Sequence, residues 1–565
     1  MTPPTGTISP ARPELVSDGF PQRRPRWIEL VTSADHKDVG RMFIAAALGF
    51  LFLAVLELCL MRLQLAVPEN TFLTPVTFDR LLSVYGATAI FLFGIPLALG
   101  LVYYVVPLQI GARTTALPRI GQLSFWLYAL GSAVLYISFV FTPPEAGVNP
   151  LAPLSELAYL PNNGVDVWLT AVGMICLGYI LFAVNMIATL RVQRAPGLAW
   201  RRMPPFAWSA AVCSWLLFVI APVMLAAITM LMIDRNFNGV FFSGDAGGAP
   251  LLWQHLSWIF YTGAYMLILL TAFGAIAEIV STFSGKPLFN RAAVMIAFGA
   301  IALFGTLAWM QNMYSTPIGI GWDYFAMVMV MLTAIAIGVV LFNLIATLFG
   351  GAIRLGAPLL FALGAISTLS IGLAAELVQS MVAVGWQLNN TTDATAATHY
   401  ALLGAGVFGG FAGLYYWFPK ITGRAMGESL SSISFWTMLA GANVAFLPLF
   451  LAGLKGEPVD VNKFFDHTGV NAYNLIATIG TFVLALGILL TIVNAVRSLS
   501  RGLRARPDHW GGTTLEWLTL SPPPIHNFDV VPDVRGSEPL RDIRDAIERS
   551  GGAETVPARS GQPVA

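Results

Sequence analysis

The stretch QHLSWIFYTGAYMLILLTAFGAIAEIVSTF, residues 254–283, decides the fold class of this chain. Its only acidic residue is Glu278 and its only histidine is His255. An apolar run of roughly 20 residues is long enough to cross the hydrocarbon core of a bilayer as an α-helix, at about 1.5 Å per residue. The stretch therefore predicts a membrane-spanning helix.

Eleven further runs of the same kind give a prediction of twelve spans in all. They lie near 41–64, 79–105, 121–143, 165–190, 207–233, 254–283, 291–312, 323–350, 357–384, 394–418, 432–454 and 473–496. We expect an all-α integral membrane protein with a twelve-helix transmembrane bundle at 41–496. Polar tails are predicted at 1–40 and 497–565. Small residues let membrane helices approach closely, and the glycines of the tenth span (Gly404, Gly406, Gly409, Gly410 and Gly413) therefore predict that it is central.

The composition supports this class and excludes others. The chain has 565 residues, of which 56% are hydrophobic and only 11% charged, with a net charge of +1. A soluble domain carries about twice that charged fraction, so a soluble enzyme, a disordered protein and a nucleic-acid binder are excluded. The expected surroundings are a lipid bilayer. Lys and Arg concentrate in the two tails and in the loops on the same side, which predicts that both termini are cytoplasmic.

Several short motifs occur in a fixed order along the chain. They are ADHKDVG (34–40), VPLQIGAR (106–113), YYWFPKITGR (415–424), TLEW (514–517) and SPPP (521–524). Together they resemble subunit I of the haem-copper terminal oxidases, over roughly residues 27–530. The resemblance implies the twelve-helix fold of that subunit, oxidase-type membrane subunits as partners and, from the tail motif, a bacterial inner membrane.

The same resemblance implies six histidine ligands inside the membrane, two for a low-spin haem, one for a second haem and three for copper. This chain has six histidines in total, at His36, His255, His399, His467, His509 and His526. We expect His36 and His467 in loops and the last two in the tail. Only His255 and His399 could approach the bilayer, so the full ligand set is absent from the sequence.

Position by position, the resemblance places other residues where the ligands would be. The substituted positions are Tyr85, Thr262, Gln311, Asn312 and Ala397. His399 keeps one low-spin haem position, and Tyr85 lies opposite it. Either the two hold a residual haem, since tyrosine can ligate haem iron, or Tyr85 fills the pocket and hydrogen-bonds His399. We expect the second arrangement. We also expect Tyr85, Tyr103, Met266 and Gln311 to refill the family's cofactor pores.

Two carboxyl groups remain at membrane depth. Glu57 on the first span could pair with Arg62, and Glu376 on the ninth could be protonated or bonded to Gln379. Ionisable residues inside a membrane are functional candidates by default, although internally satisfied carboxyls are the simpler interpretation. Glu278 lies near the cytoplasmic end of its span, where we expect its side chain to reach the interface.

The sequence thus predicts a non-catalytic member of the oxidase subunit I family, with no cofactor or at most one haem at His399. Its role would be that of a scaffold or partner subunit in a respiratory-type membrane complex. The alternatives are a transporter or sensor that uses the emptied pores, a single-haem electron-transfer protein and an active terminal oxidase.

Overall fold

A computed structural model describes residues 29, 31–528, 530–534 and 536–542 of the chain. An N-terminal unit extends to Ser33, and a second unit begins at Ala34. The bundle described below belongs to the second unit. Of the polar tails predicted at 1–40 and 497–565, residues 1–28, 30, 529, 535 and 543–565 lie outside the described residues.

The described residues form twelve helices long and apolar enough to cross a membrane, which confirms the predicted fold class. They are α1 His36–Gln64, α2 Pro75–Gln109, α3 Pro118–Val140, α4 Gly164–Val192, α5 Pro205–Phe237, α6 Pro250–Ser284, α7 Arg291–Met313, α8 Ile320–Leu348, α9 Ala357–Ser380, α10 Thr392–Thr422, α11 Glu428–Leu454 and α12 Asn471–Arg501.

Several helices extend past the predicted ends, because their terminal turns are polar and hydropathy alone does not register them. His36, expected in a loop, is buried and begins α1, where the side chain of Asp35 accepts a hydrogen bond from the backbone N–H of Lys37. Proline occupies the first turn of α2, α3, α5, α6 and α9. The first N–H groups of a helix have no intrahelical partner, so proline starts these helices without losing a hydrogen bond.

Three helices form the interior of the bundle. The most apolar segments of α2, α6 and α10 are 94%, 89% and 83% buried, against 39–61% for the other nine described spans. Small residues allow this packing. A Cβ added to Gly409 of α10 would lie 2.6 Å from the Cβ of Ala272 on α6, closer than carbon atoms can approach. The prediction that the tenth span is central is confirmed.

Two of these interior helices contain a π-helical segment at the same relative place. The segment Thr88–Gly94 follows Tyr85 in α2, and the segment Leu403–Gly409 follows His399 in α10. In α2, neighbouring tyrosines donate to carbonyl groups of the π-helical segment: Tyr128 Oη to the Leu92 carbonyl at 2.8 Å, and Tyr179 Oη to the Phe91 carbonyl. Such segments are rare and occur frequently at functional sites.

The C-terminal tail packs against the end of the bundle formed by the start of α1 and the end of α10, through buried polar groups. Lys420 at the end of α10 donates to the carbonyls of Thr519 at 2.7 Å and Pro507 at 2.9 Å. Asn527 accepts from Lys37 at 3.0 Å. A two-stranded antiparallel sheet, β1 Arg424–Ala425 with β2 Leu503–Arg504, joins the end of α10 to the chain that follows α12. Glu278, expected to reach the interface, is buried here and accepts from the backbone N–H of Phe206 at 3.4 Å.

Close packing of α11 on α12 gives a test of the bundle. A Cβ at Gly480 would lie 2.2 Å from the backbone nitrogen of Ala445, which no rotamer change can relieve. We expect Gly480→Ala to destabilise the detergent-solubilised protein by about 1–3 kcal/mol through overpacking. The measurement is thermal unfolding of both proteins in one detergent. Gly299→Ala on α7 is the matched control, because its added Cβ meets nothing within 4 Å. Equal melting temperatures for the two variants would contradict the packing.

Glu516 in the tail gives a second test, through pH. It is fully buried, and Gln109 Nε2 at 3.0 Å and Trp417 Nε1 at 3.3 Å donate to its Oε1. Burial raises the pKa of Glu516 above its ordinary value. The unfolded chain loses this proton first, at about pH 4.3, so the contribution to stability falls as pH rises through the folded-state pKa. We expect Glu516→Gln to reduce the fall in melting temperature between about pH 5 and pH 8. A fall as steep as that of the unsubstituted protein would contradict this.

Candidate functional site

Tyr85 and His399 meet between the two interior helices that carry π-helical segments. Tyr85 Oη lies 2.9 Å from His399 Nε2, and the rings stack at 9° with their centroids 6.3 Å apart. The other ring nitrogen, Nδ1, lies 2.7 Å from the Thr395 carbonyl, so it carries the hydrogen and Nε2 accepts from the tyrosine hydroxyl. Both imidazole nitrogens are therefore satisfied within the protein.

This arrangement bears on whether iron fits between the two side chains. A metal bound by two opposite ligands holds them about 4 Å apart, twice a metal–nitrogen bond of about 2 Å. The 2.9 Å contact between Tyr85 and His399 is shorter than that. A cavity of about 80 Å³ adjoins the pair and is otherwise lined mainly by apolar side chains. As arranged, these residues do not fit an iron held between them.

Thr262, Gln311 and Asn312, which the resemblance places where the copper ligands would be, lie close together on α6 and α7. Asn312 Nδ2 donates to Thr262 Oγ1 at 3.4 Å, and Gln311 Nε2 donates to Glu376 Oε2 at 3.1 Å. Asn389 Nδ2 donates to the Gln311 carbonyl at 3.4 Å. The resemblance placed Thr262 and Asn312 at ligand positions of one site, and the structure brings these two side chains into contact. Ala397 is fully buried and its methyl group offers no donor atom.

A cavity of about 150 Å³ adjoins this cluster. Its polar end is formed by Thr262, Gln311, Asn312 and Glu376, and the rest of its lining is mostly aliphatic. Met266 and Gln311, expected to refill this pore, line the cavity and do not fill it. Tyr85 likewise lines the smaller cavity, while Tyr103 is fully buried and accepts from Asn185 Nδ2 at 2.5 Å.

The donor set at the copper positions does not fit copper. Copper in proteins is bound by imidazole, thiolate or thioether, and the groups present are two amides and a hydroxyl. Within the described residues, no three His, Cys, Asp or Glu side chains lie close enough together to hold a metal ion. His255 is also engaged, because Trp309 Nε1 donates to its Nδ1 at 3.2 Å.

Both intramembrane carboxyl groups have partners that the sequence did not indicate. Glu57 contacts Tyr136 Oη at 3.0 Å, whereas Arg62, its expected partner, donates to Asn474 Oδ1 at 2.9 Å. Glu376 bonds Gln311, and Gln379, its expected partner, donates to Asp393.

Sequence reasoning missed Tyr136 and Thr88, which join Glu57 in a chain of hydroxyl groups. Thr88 Oγ1 lies 2.8 Å from Tyr136 Oη and donates to the Val84 carbonyl at 2.8 Å. Neither residue belongs to a motif. Their only sequence signal is a polar group within an apolar run.

The chain is similar to known proteins over most of its length. The family model described as "Cytochrome C and Quinol oxidase polypeptide I" matches residues 38–483. The chain is 35% identical to cytochrome c oxidase subunit 1 of Thermostichus vulcanus over 90% of this chain and 92% of that protein. It is 32% identical to quinol oxidase subunit 1 of Bacillus subtilis, over 92% and 81%.

A longer relative and a solved structure are also similar. The chain is 37% identical to haem-copper oxidase subunit I+III of Aeropyrum pernix over 90% of its own length, and it spans 62% of that protein. A cryo-EM structure of a haem-copper terminal oxidase dimer matches with a TM-score of 0.71 at 13% identity, covering 82% of this chain and 84% of that one. At that identity the structural match shows the fold.

These comparisons correct one prediction. The expectation of no cofactor, or of at most one haem, is wrong, because the relatives that match nine-tenths of the chain are haem-copper, cytochrome c and quinol oxidases. The contacts described above concern only the donor atoms that Thr262, Gln311 and Asn312 present at these three positions.

The contact between Tyr85 and His399 gives a test of the site. Tyr85→Phe removes the hydrogen that Nε2 receives and leaves a partly buried acceptor without that partner, at a cost of about 1–3 kcal/mol. We expect a lower melting temperature in detergent. Tyr324→Phe is the control, because Tyr324 lies on α8 and is 51% exposed. If Tyr85→Phe melts with the control, the contact contributes nothing to stability.

Proposed function

This chain belongs to the cytochrome c and quinol oxidase polypeptide I family, and on that premise we propose that it is a non-catalytic member of it. It acts as a scaffold or partner subunit in a respiratory-type membrane complex and does not itself reduce oxygen. The activity of its relatives belongs to those proteins.

The observation that carries the proposal is the chemistry of the copper positions. Oxygen reduction in a metal-containing membrane site requires ligands that bind redox metals, for which imidazole is well suited. Here Gln311 bonds Glu376, and Asn312 bonds Thr262. Amides and hydroxyls that bond each other support a structural role for this part of the bundle.

The parts of the chain that resemble the family most closely support a partner role. They are the segment that begins α1, the end of α10 and the C-terminal tail, and they bond one another. Lys37 donates to Asn527 Oδ1 and to the Ile525 carbonyl at 2.9 Å, and Lys420 donates to tail carbonyls. The start of α1, the end of α10 and the C-terminal tail therefore form one packed end of the bundle. Because these are the segments that resemble the family most closely, they support the proposal that other oxidase-type membrane subunits bind there.

The location follows from the same premise. We place the chain in a bacterial inner membrane with both termini in the cytoplasm. The support is the charge distribution, because the tails and the loops on their side are rich in arginine and the loop at 144–164 has neither lysine nor arginine.

Oxidase activity tests the proposal. We expect the purified full-length protein to consume no oxygen with reduced cytochrome c or quinol. The triple variant Thr262→His, Gln311→His and Asn312→His should bind more copper per chain than the unsubstituted protein, because three imidazoles on adjoining positions form a copper site. Copper is measured by elemental analysis, and haem in the same samples by the pyridine haemochrome spectrum.

Thr262→His alone is the matched control, since a single added imidazole does not complete such a site. Oxygen consumption by the unsubstituted protein would refute the proposal. Capture of oxidase-type subunits with the tagged chain from its own membranes would identify the complex.

A further inference from the structure

Glu57 lies in the interior of the bundle at the start of a chain of hydroxyl groups. It is 6% exposed on α1. Its Oε1 lies 3.0 Å from Tyr136 Oη on α3, which lies 2.8 Å from Thr88 Oγ1 on α2. Thr88 Oγ1 lies 2.8 Å from the Val84 carbonyl. Three consecutive contacts of hydrogen-bond length thus link the carboxyl group to the backbone of α2.

Counting hydrogens along this chain determines the state of the carboxyl group. Thr88 Oγ1 donates to the Val84 carbonyl, and Tyr136 donates to Glu57 Oε1 if the carboxyl group is ionised. Both hydroxyl hydrogens are then used, and the 2.8 Å contact between Thr88 Oγ1 and Tyr136 Oη is left without a hydrogen. A protonated Glu57 supplies the third hydrogen, because it donates to Tyr136 and frees the Tyr136 hydrogen for Thr88.

The second oxygen of Glu57 agrees with this assignment independently. Glu57 Oε2 is buried and has no hydrogen-bond partner among the described residues. An ionised carboxylate at this depth would need hydrogen bonds or a cation to offset its desolvation. The nearest candidate on the same helix, Arg62, donates to Asn474. No ion pair with Glu57 occurs in the described part of the chain.

We propose that Glu57 is a proton-binding site within the membrane and that the resting protein holds it as a neutral acid at the head of the Glu57–Tyr136–Thr88 chain. The site requires no metal, and it is independent of whether the chain reduces oxygen. The hydrogen-bonded chain of hydroxyl groups ends at the carbonyl of Val84, the residue before Tyr85.

Loss of the Glu57 proton rearranges the hydrogen bonds between Glu57, Tyr136 and Thr88. Tyr136 turns its hydrogen toward the carboxylate, which is the stronger acceptor. Thr88 Oγ1 then receives no hydrogen from Tyr136, and the link between α3 and the first residue of the π-helical segment is lost. Proton occupancy at Glu57 is thereby coupled to the packing of the π-helical segment Thr88–Gly94, which follows Tyr85.

A lipid-soluble carbodiimide, dicyclohexylcarbodiimide, is the chemical probe, because it reacts with protonated carboxyl groups in apolar surroundings. The carboxyl O–H adds across one C=N bond. The oxygen bonds to the central carbon and the proton moves to a nitrogen, and transfer of the acyl group from oxygen to nitrogen then gives a stable N-acylurea. The adduct gains the mass of the whole reagent and requires no oxidant or reductant.

The experiment uses the full-length protein in bilayer nanodiscs at neutral pH. Peptide mass spectrometry locates the carbodiimide adduct, and infrared spectroscopy records the carbonyl band of neutral carboxyl groups. We expect an adduct at Glu57, together with one carbonyl band that shifts in heavy water and is lost in Glu57→Gln. Glu376→Gln is the matched control, since it removes the other intramembrane carboxyl group considered above and should leave the Glu57 band in place.

Thr88→Val keeps the shape of the side chain and removes the acceptor for Tyr136. We expect it to shift the Glu57 band, because Tyr136 is then free to donate to the carboxyl group. Labelling at other carboxyl groups with none at Glu57 would overturn the proposal, as would a carbonyl band unchanged by Glu57→Gln. If Glu57→Gln does not fold, the adduct map of the unsubstituted protein and the Thr88→Val band decide the matter.

Discussion

The close approach of α2, α6 and α10 is the constraint on which the rest of the bundle depends. Glycine faces a side chain at each crossing. Added Cβ atoms at Gly94 and Gly410 would lie 2.7 Å from Ile268 Cδ1 and 2.6 Å from Leu97 Cδ2. Lipid tails are as apolar as leucine, so membrane helices associate through such packing rather than through the hydrophobic effect. Because Tyr85, Thr262 and His399 project from these three helices, the site exists only where the helices can touch.

The same packing explains why polar side chains in the interior bond one another. Inside a bilayer there is no water to satisfy a hydroxyl, an amide or a carboxyl group. Tyr85 therefore bonds His399, Gln311 bonds Glu376, and Tyr136 joins Glu57 to Thr88. The cavities that remain are lined mostly by apolar groups, and the polar residues Tyr85, His399, Gln311, Asn312 and Glu376 on their walls have partners within the protein.

The two π-helical segments show how a local change of helix geometry is supported. The segment Thr88–Gly94 presents the carbonyls of Phe91 and Leu92 to tyrosine hydroxyls from α4 and α3. Nothing in TAIFLFG distinguishes it from an ordinary apolar helix. The sequence predicted the span that contains Tyr85 but not the π-helical segment, because the tyrosines that donate to its carbonyls lie far away along the chain.

The sequence by itself determined the twelve spans and the central position of the tenth, because crossing a bilayer imposes a fixed apolar length and glycine marks close packing. Its six histidines are as many as the ligands that the resemblance implies, and the sequence alone predicted only His255 and His399 at the bilayer. Only the tertiary structure decided which polar groups meet. Glu57 contacts Tyr136 rather than Arg62, and Glu376 contacts Gln311 rather than Gln379. A hydrogen bond requires atoms within about 3 Å and in line, and the rotation of each helix against its neighbours sets which atoms satisfy that.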